Sequence, residues 1–309
     1  MEKKYKLLLT TDYSEAVMNA ERYAVQFAKN TNSTLVLLHV YQIPFVSPTE
    51  PTEFSQSNQE LHDAEMKRLE QHRDRLFRTM NLKTDELICE CIVLVGSAGK
   101  QIRKGAKESD ADFIIVGTHG ASKFREAMLR SHTWDVIKKA NIPVLAVPKD
   151  ALFTRIKNIV FATEYREGEI PVINFLTQFA KQFDAEVTIL HITNYVLSKE
   201  LEKVLFEKFR DEVKSKNSYK QLNIRLAHYD DIVTGLNDYC IRTKTDMLVM
   251  SPEKPFIWEK IFTPLSSVTR QMSFHNTIPV LTIPDFYNPT YASFWKMFAD
   301  AGDFVNEDF

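Results

Sequence analysis

The sequence predicts an α/β protein made of two tandem, doubly wound domains, each a mostly parallel five-stranded sheet with helices on both faces. Three observations predict it. Short apolar runs alternate with amphipathic stretches of helical period, the order that builds parallel sheets covered by helices. The runs are continuous, as in Leu7-Leu8-Leu9, which suits strands buried on both faces. The chain also repeats itself: Asp12 to Glu164, Gln26 to Gln178 and His39 to His191 are each 152 residues apart, and chance does not hold one register across three separated segments.

In the first copy, Leu7 to Leu9 start a strand that ends near Thr11-Asp12. Ser14 is placed to cap a helix whose apolar stripe is Val17, Ala20, Ala24, Phe27 and Ala28. Leu35 to Val40 is a second strand. A proline-bearing loop (Pro44, Pro48, Pro51) leads to a charged helix near Gln59 to Met80, with Leu61, Leu69, Leu76 and Met80 on one side. Ile88 to Val95 is a third strand, Ala98 to Glu108 a helix, Phe113 to Val116 a fourth strand, Ser131 to Ala140 a helix and Val144 to Val147 the last strand. The ends of the copies also match, since Asp112-Phe113-Ile114-Ile115-Val116 pairs with Asp246-Met247-Leu248-Val249-Met250 and Ile142-Pro143-Val144-Leu145 with Ile278-Pro279-Val280-Leu281. The predicted division is 1–148, 149–284 and a remainder, 285–309, that belongs to neither copy.

Composition narrows the function. At 309 residues the chain has room for about two domains of ~150 residues. With 44% hydrophobic and 26% charged residues, disordered and fibrous classes are excluded. A net charge of -2 leaves no basic excess for nucleic acid or an anionic membrane. No apolar run approaches the ~18 residues of a membrane helix, and Met1 to Tyr5 passes into a strand without a signal-peptide core, so a cytoplasmic protein is expected. Cys89 and Cys91 fall on one face of a strand and, with Cys240, read as buried reduced thiols; neither they nor the eight histidines have the spacing of a zinc site.

In an open parallel sheet, ligands bind beyond the carboxyl ends of the strands, where neighbouring connections diverge to opposite faces. Thr11 and Asp12 stand at the end of the first strand, Val40 at the end of the second, and Gly117-Thr118-His119-Gly120 at the end of the fourth. That last loop runs on to Arg130-Ser131-His132-Thr133 at a helix start. Glycines let backbone amides approach a ligand, and a helix N-terminus offers unpaired N–H groups to an anion. The set makes a phosphate cradle, with Asp12 able to accept hydrogen bonds from a base or sugar.

At these residues a resemblance becomes specific. Asp12-Tyr13-Ser14, Leu38-His39-Val40, Val116-Gly117-Thr118-His119-Gly120 and Ile142-Pro143-Val144-Leu145-Ala146-Val147-Pro148 resemble the universal stress protein family, over nearly all of 1–148 and more weakly over 155–284. The resemblance implies a Rossmann-like, adenine nucleotide hydrolase-like fold. Nucleotide-binding members carry Gly-x2-Gly-x9-Gly-[Ser/Thr] and hold ATP with its phosphates on the loop and helix start; the cofactor expected here is ATP with Mg²⁺, which would bridge the phosphates in any slow hydrolysis. Gly117, Gly120 and Ser131 match that pattern, but Arg130 replaces the third glycine, where it either blocks phosphate or pairs with it. In the second copy Glu164 replaces Asp12 and Ile192 stands for Val40, while Ser266, Ser267 and Thr269 keep the helix start. The loop between, Ser251-Pro252-Glu253-Lys254-Pro255-Phe256, has no glycine, and its prolines have no amide hydrogen to offer.

No catalytic centre is legible: there is no Gly-x4-Gly-Lys-[Ser/Thr] loop, nucleophile elbow or kinase signature. The expectation is a stress-response regulatory protein that binds adenine nucleotide in its first copy. The alternatives are a scaffold working through protein contacts or another small ligand, and a slow ATPase or a protein that phosphorylates itself at Ser131 or Thr133. The resemblance further implies an intramolecular pseudo-dimer through the last strand of each copy, with a homodimer as a further arrangement and the protein partner unidentified. In the remainder, Tyr291, Phe294, Trp295 and Phe298 fall at helical spacing and read as a docked helix or a partner-binding segment.

Overall fold

The computed structural model describes residues 4–43, 51–83, 85–118, 132–165, 168–193, 199–250 and 278–283, with the side chains of 16, 51–57, 132–134 and 138 outside that description. The chain forms two compact units, Met1–Lys139 with Val144–Phe153, and Ala140–Pro143 with Thr154–Phe309.

In the first unit the order is β1 (Lys6–Thr11), α1 (Glu15–Asn30), β2 (Thr34–Tyr41), α2 (Pro51–Thr79), β3 (Cys89–Val95), α3 (Ala98–Glu108), β4 (Phe113–Thr118), α4 (His132–Lys139) and β5 (Val144–Pro148). The strands are parallel in the order β3-β2-β1-β4-β5, so the connections reverse direction between β1 and β4. Leu7, Leu8 and Leu9 are fully buried, as a strand covered on both faces requires. Helices α1 and α2 meet through Glu21 and His72 on one face, and α3 and α4 meet through Arg103 and Asp135 on the other. The stripe of α1 is buried throughout, and the ring of Phe153 packs edge-on against Tyr23, 5.0 Å between centroids, which holds the chain beyond β5 on α1.

Helix α2 starts earlier than its apolar pattern suggests, at Pro51. Proline is tolerated at a first helical position because the amide it lacks would have no partner inside the helix. Ser14 does stand at the N-cap of α1, but its hydroxyl makes no capping bond. Cys89 and Cys91 lie on β3, the outer strand, and are half-buried; only Cys240 is fully enclosed.

The second unit follows the same plan: β6 (Asn158–Ala162), α5 (Glu169–Lys181), β7 (Glu186–Thr193), α6 (Lys199–Lys216), β8 (Leu222–His228), α7 (Ile232–Thr243), β9 (Met247–Met250) and β10 (Val280–Thr282). Its strands are parallel in the order β8-β7-β6-β9-β10. The repeat reaches single residues. Among the described residues, six of the seven non-glycine residues with positive φ form pairs in the repeat: Tyr13 with Tyr165, Asn32 with Asp184, and Asp110 with Lys244. Asp112 accepts the Lys6 amide at 2.8 Å, and Asp246 accepts the Lys157 and Asn158 amides at 2.7 and 2.9 Å, so each copy ties the start of its first strand to its fourth through one aspartate. No helix among the described residues is long and apolar enough to cross a membrane.

Candidate functional site

At the carboxyl end of β1 the chain makes a tight turn, with Tyr13 at φ 61. A bulky residue adopts that conformation only when its surroundings enforce it. Thr11 supplies part of the enforcement: its Oγ1 donates to Glu21 Oε1 at 2.5 Å and accepts the Tyr13 amide at 3.1 Å. Its carbonyl accepts from His39 Nδ1 at 2.8 Å, which puts a proton on that nitrogen. The polar groups of the Thr11 side chain and carbonyl are thus committed inside the fold.

The turn sends neighbouring side chains in different directions. Tyr13 goes under α2, over the His39 ring at 4.4 Å and edge-on to His72 at 5.1 Å, with the Arg68 guanidinium 4.2 Å from its ring centre. Burial pushes its phenol well above the ordinary tyrosine range, and its hydroxyl has no hydrogen-bond partner among the described residues. Asp12 stays outside: it is exposed, and its Oδ1 accepts the Ser14 amide at 2.9 Å. Asp12 therefore orders the entry to α1 with one oxygen and presents a carboxylate at the strand mouth.

Val40 is half-buried at the end of β2, opposite Leu94 on β3. Gly117 is inside β4, and its bare Cα is needed for packing: a Cβ there would meet the Val17 Cα at 3.2 Å and the Ala20 Cβ at 3.3 Å. Gly120, Arg130 and Ser131 lie outside the described residues, and His132 and Thr133 open α4 as backbone. Asp135, in the first turn of α4, binds Arg103 Nη1 at 2.6 Å and Lys139 Nζ at 2.5 Å. Burial pushes its carboxyl up, but hydrogen bonds from Lys139 and Arg103 outweigh that and hold it below the usual range. These bonds fix the helix start predicted to meet phosphate.

The second copy reproduces the turn around different chemistry. Thr163 Oγ1 accepts the Tyr165 amide at 3.1 Å, Tyr165 has φ 60, and the Thr163 carbonyl accepts from His191 Nδ1 at 2.8 Å. His191 Nε2 is 3.0 Å from Glu202 Oε1, where His39 Nε2 is 3.8 Å from Glu65 Oε2. The hydroxyl of Thr163 donates to Glu169, which also accepts the Glu164 amide at 3.1 Å. Glu169 is buried and, at the 152-residue register, stands where the first copy has Val17. The amide of Glu164 is thus taken by a buried anion, while the Glu164 side chain is exposed and Ile192 is buried. Ser266, Ser267 and Thr269 lie outside the described residues.

The residues that organise both strand ends, Tyr13, His39, Glu65 and their counterparts Tyr165, His191 and Glu202, were not among those predicted. One signal was available, since Tyr13 and His39 recur at the 152-residue register. No cluster of three or more His, Cys, Asp or Glu able to hold a metal occurs among the described residues.

Residues 5–148 match the model of the Universal stress protein family. The first copy is a universal stress protein domain. Universal stress protein MJ0577 of Methanocaldococcus jannaschii is 26% identical over 153 residues, 47% of this chain and 94% of that protein. Universal stress protein YxiE of Bacillus subtilis is 27% identical over 144 residues, 46% of this chain and 97% of its own. Among solved structures, a universal stress protein from Archaeoglobus fulgidus superposes over 91% of this chain and 96% of its own, with a TM-score of 0.59 at 16% identity. A protein from Pseudomonas aeruginosa, PA1789, covers 97% of this chain and 98% of its own, with a TM-score of 0.55 at 15% identity. The Rossmann-like α/β fold of the universal stress proteins thus extends over both units.

Proposed function

We propose that this chain is a tandem universal stress protein, a stress-response regulator that binds an adenine nucleotide in its first copy, in the crevice between β1 and β4. The observation that carries the reading is the exposed Asp12 carboxylate at the end of β1, beside the point where the connections diverge. One of its oxygens orders the turn, and the other can accept from a ribose hydroxyl or a base amino group. Helix α4, anchored by Asp135, follows β4 in the chain, and its first amides would be offered to phosphate. ATP with Mg²⁺ fits this donor set. A Mg²⁺ ion carried with the nucleotide would supply neutralising charge to the phosphates, and Asp12 and the start of α4 would bind and orient the nucleotide.

The second copy supports no such reading. Glu169 removes the Glu164 amide from the strand mouth, and the sequence after β9 has no glycine to bring further amides to a phosphate. The two copies then divide the work, with the first sensing ligand.

Nucleotide released by heating the purified protein, identified by chromatography, tests the reading together with thermal unfolding in millimolar Mg-ATP. Adenine nucleotide in the extract and a raised melting temperature are expected. Asp12→Ala should weaken binding about 10- to 100-fold while leaving the melting temperature of the free protein within a few degrees. No released nucleotide and an unmoved melting temperature leave the scaffold reading standing instead.

A further inference from the structure

The outer strand of the first unit carries a pair of thiols that the strand-end site leaves unused. Cys89 and Cys91 are two residues apart on β3, so their side chains leave the same face of the strand. That face lies under α2, where Arg73 donates from Nη1 to Cys91 Sγ at 3.9 Å and binds Asp74 Oδ1 through Nε and Nη2 at 3.0 and 2.8 Å. Both thiols are half-buried, and Cys89 lies close enough to Cys91 and Arg73 to respond to their charges. The second copy keeps part of this arrangement. Glu65 and Glu202 contact equivalent histidines, which aligns α2 with α6 at 137 residues, and Arg73-Asp74 recurs there as Arg210-Asp211. The thiols do not recur. Leu35 and Leu37 pair with Cys89 and Cys91, whereas their counterparts Val187 and Ile189 pair with Leu222 and Ile224. An arginine–aspartate pair is therefore common to both copies, and the two thiols are what the first copy adds.

We propose that Cys89 and Cys91 form a two-coordinate site for a soft monovalent cation of the Cu(I) class, with Arg73 balancing the charge of the loaded site. Distance selects a metal over a disulfide. Side chains two residues apart on a strand leave it about 6.6 Å apart, far more than the ~3.8 Å between Cβ atoms that a disulfide requires. A cation between two sulfurs needs them only about 4.6 Å apart, twice a metal–sulfur bond of ~2.3 Å. Leaning each side chain about 1 Å along the strand supplies that without moving the backbone. Ligand number selects the cation. A structural zinc takes four ligands, and among the described residues no group of three or more His, Cys, Asp or Glu is placed to hold a metal. Two thiolates by themselves suit Cu(I). Charge selects the arginine. Each thiol loses its proton, two sulfur–metal bonds form, and one monovalent cation between two thiolates leaves a single net negative charge, which the guanidinium beside Cys91 offsets. Burial raises both thiols; Cys91 and Glu90 add to the rise at Cys89, and Glu70 and Asp74 at Cys91, while Arg73 draws both down. The protons then leave only as the metal takes their place.

The reduced full chain, kept free of oxygen and titrated with Cu(I) held as its bicinchoninate complex, tests this, because loss of the complex's colour reports transfer. One cation should pass to each chain with release of two protons, and X-ray absorption of the loaded protein should show sulfur neighbours only. Cys89→Ser and Cys91→Ser should each abolish transfer, and Cys240→Ser should leave it unchanged. Arg73→Gln, on the surface of α2, should retain the circular dichroism of the wild type and weaken binding about tenfold. The proposal is overturned by no transfer to the wild type, by transfer that survives in Cys89→Ser or Cys91→Ser or is lost in Cys240→Ser, and by equal affinity in Arg73→Gln.

Discussion

The ring of Tyr165 stacks on that of His191 with 4.1 Å between centroids, and 152 residues earlier Tyr13 lies over His39 at 4.4 Å. In both copies the histidine's Nδ1 is bonded to the carbonyl of the threonine two residues before the tyrosine, and its Nε2 faces a glutamate of the helix above. The tyrosine is thereby a wedge between sheet and helix, and the left-handed turn is the cost of placing it there.

A wedge acts through its volume, which separates two substitutions. Neither phenol hydroxyl has a hydrogen-bond partner among the described residues, so Tyr13→Phe and Tyr165→Phe should change stability by less than about 1 kcal/mol. The alanine variants should each cost about 2–4 kcal/mol by opening a cavity beneath α2 or α6. Urea titrations distinguish the two, and a phenylalanine variant as damaging as alanine would show that the hydroxyl, and not the ring, matters.

Gly117 lies at the first glycine of the nucleotide-binding pattern, yet its surroundings are Val17 and Ala20 of α1. Gly117→Val should therefore unfold the first unit, or lower its stability by about 2 kcal/mol or more, before any ligand is added. Circular dichroism of the unliganded variant checks this. A stable Gly117→Val protein that has lost only nucleotide binding would move the residue from packing to the ligand.

The fold was legible because its signals are local and doubled. Continuous apolar runs and helical stripes each name an element, and a second copy at constant register removes chance. The strand-end clusters were not legible, because they depend on contacts such as Tyr13 with Arg68 and His72, which are far apart in sequence and carry no motif. Thr11 was expected to face ligand, but a hydroxyl at a strand end serves equally well in a buried bond to Glu21, and spacing alone does not choose between them. Asp12 lies just after β1 with its side chain exposed, and its neighbour Tyr13 turns under α2 through contacts that carry no motif.

The thiols give a pH dependence with a definite sign. Burial, followed by the neighbouring Cys91, pushes Cys89 up to about 12, and burial pushes Cys240 up to about 12 against a hydrogen bond with Thr245. A raised value means that the folded chain holds the proton more tightly than the unfolded one. The stabilisation is complete below the ordinary thiol value near 9 and is lost as the pH rises towards 12. At pH 8 a thiol reagent should modify Cys240 only on unfolding and Cys89 slowly. Between pH 9 and 11 the melting temperature should fall less steeply in Cys89→Ala/Cys240→Ala than in the wild type; parallel slopes would contradict the assignment.

Asp135 gives the opposite slope. Its carboxyl is held below the ordinary range, so the stabilisation that anchors α4 is present above that range and declines as the pH falls through and below 4. Because the side chain is one-third exposed, the effect is modest. Asp135→Asn should flatten the acid limb of the stability profile and weaken nucleotide binding through the loosened start of α4. An unchanged acid limb would mean that the bonds to Arg103 and Lys139 contribute nothing in solution.

Val17 and Glu169 occupy one position in the repeat and meet opposite demands. Val17 is buried against Gly117, with the nearby Thr11 hydroxyl already bonded to Glu21, so Val17→Glu would bury a carboxylate with no hydroxyl in reach and no space. A cost of about 3 kcal/mol or more is expected, enough to leave the first unit largely unfolded. Glu169→Val keeps the volume of the second unit's core but strips the acceptor from the Thr163 hydroxyl and the Glu164 amide, for about 1–3 kcal/mol. It also frees the Glu164 amide at this strand mouth, without restoring the glycines of the loop. Measured by thermal shift with Mg-ATP, Glu169→Val should therefore lose stability and still fail to bind. A variant that gained nucleotide binding would show that this single carboxylate, and not the loop, keeps the second copy silent.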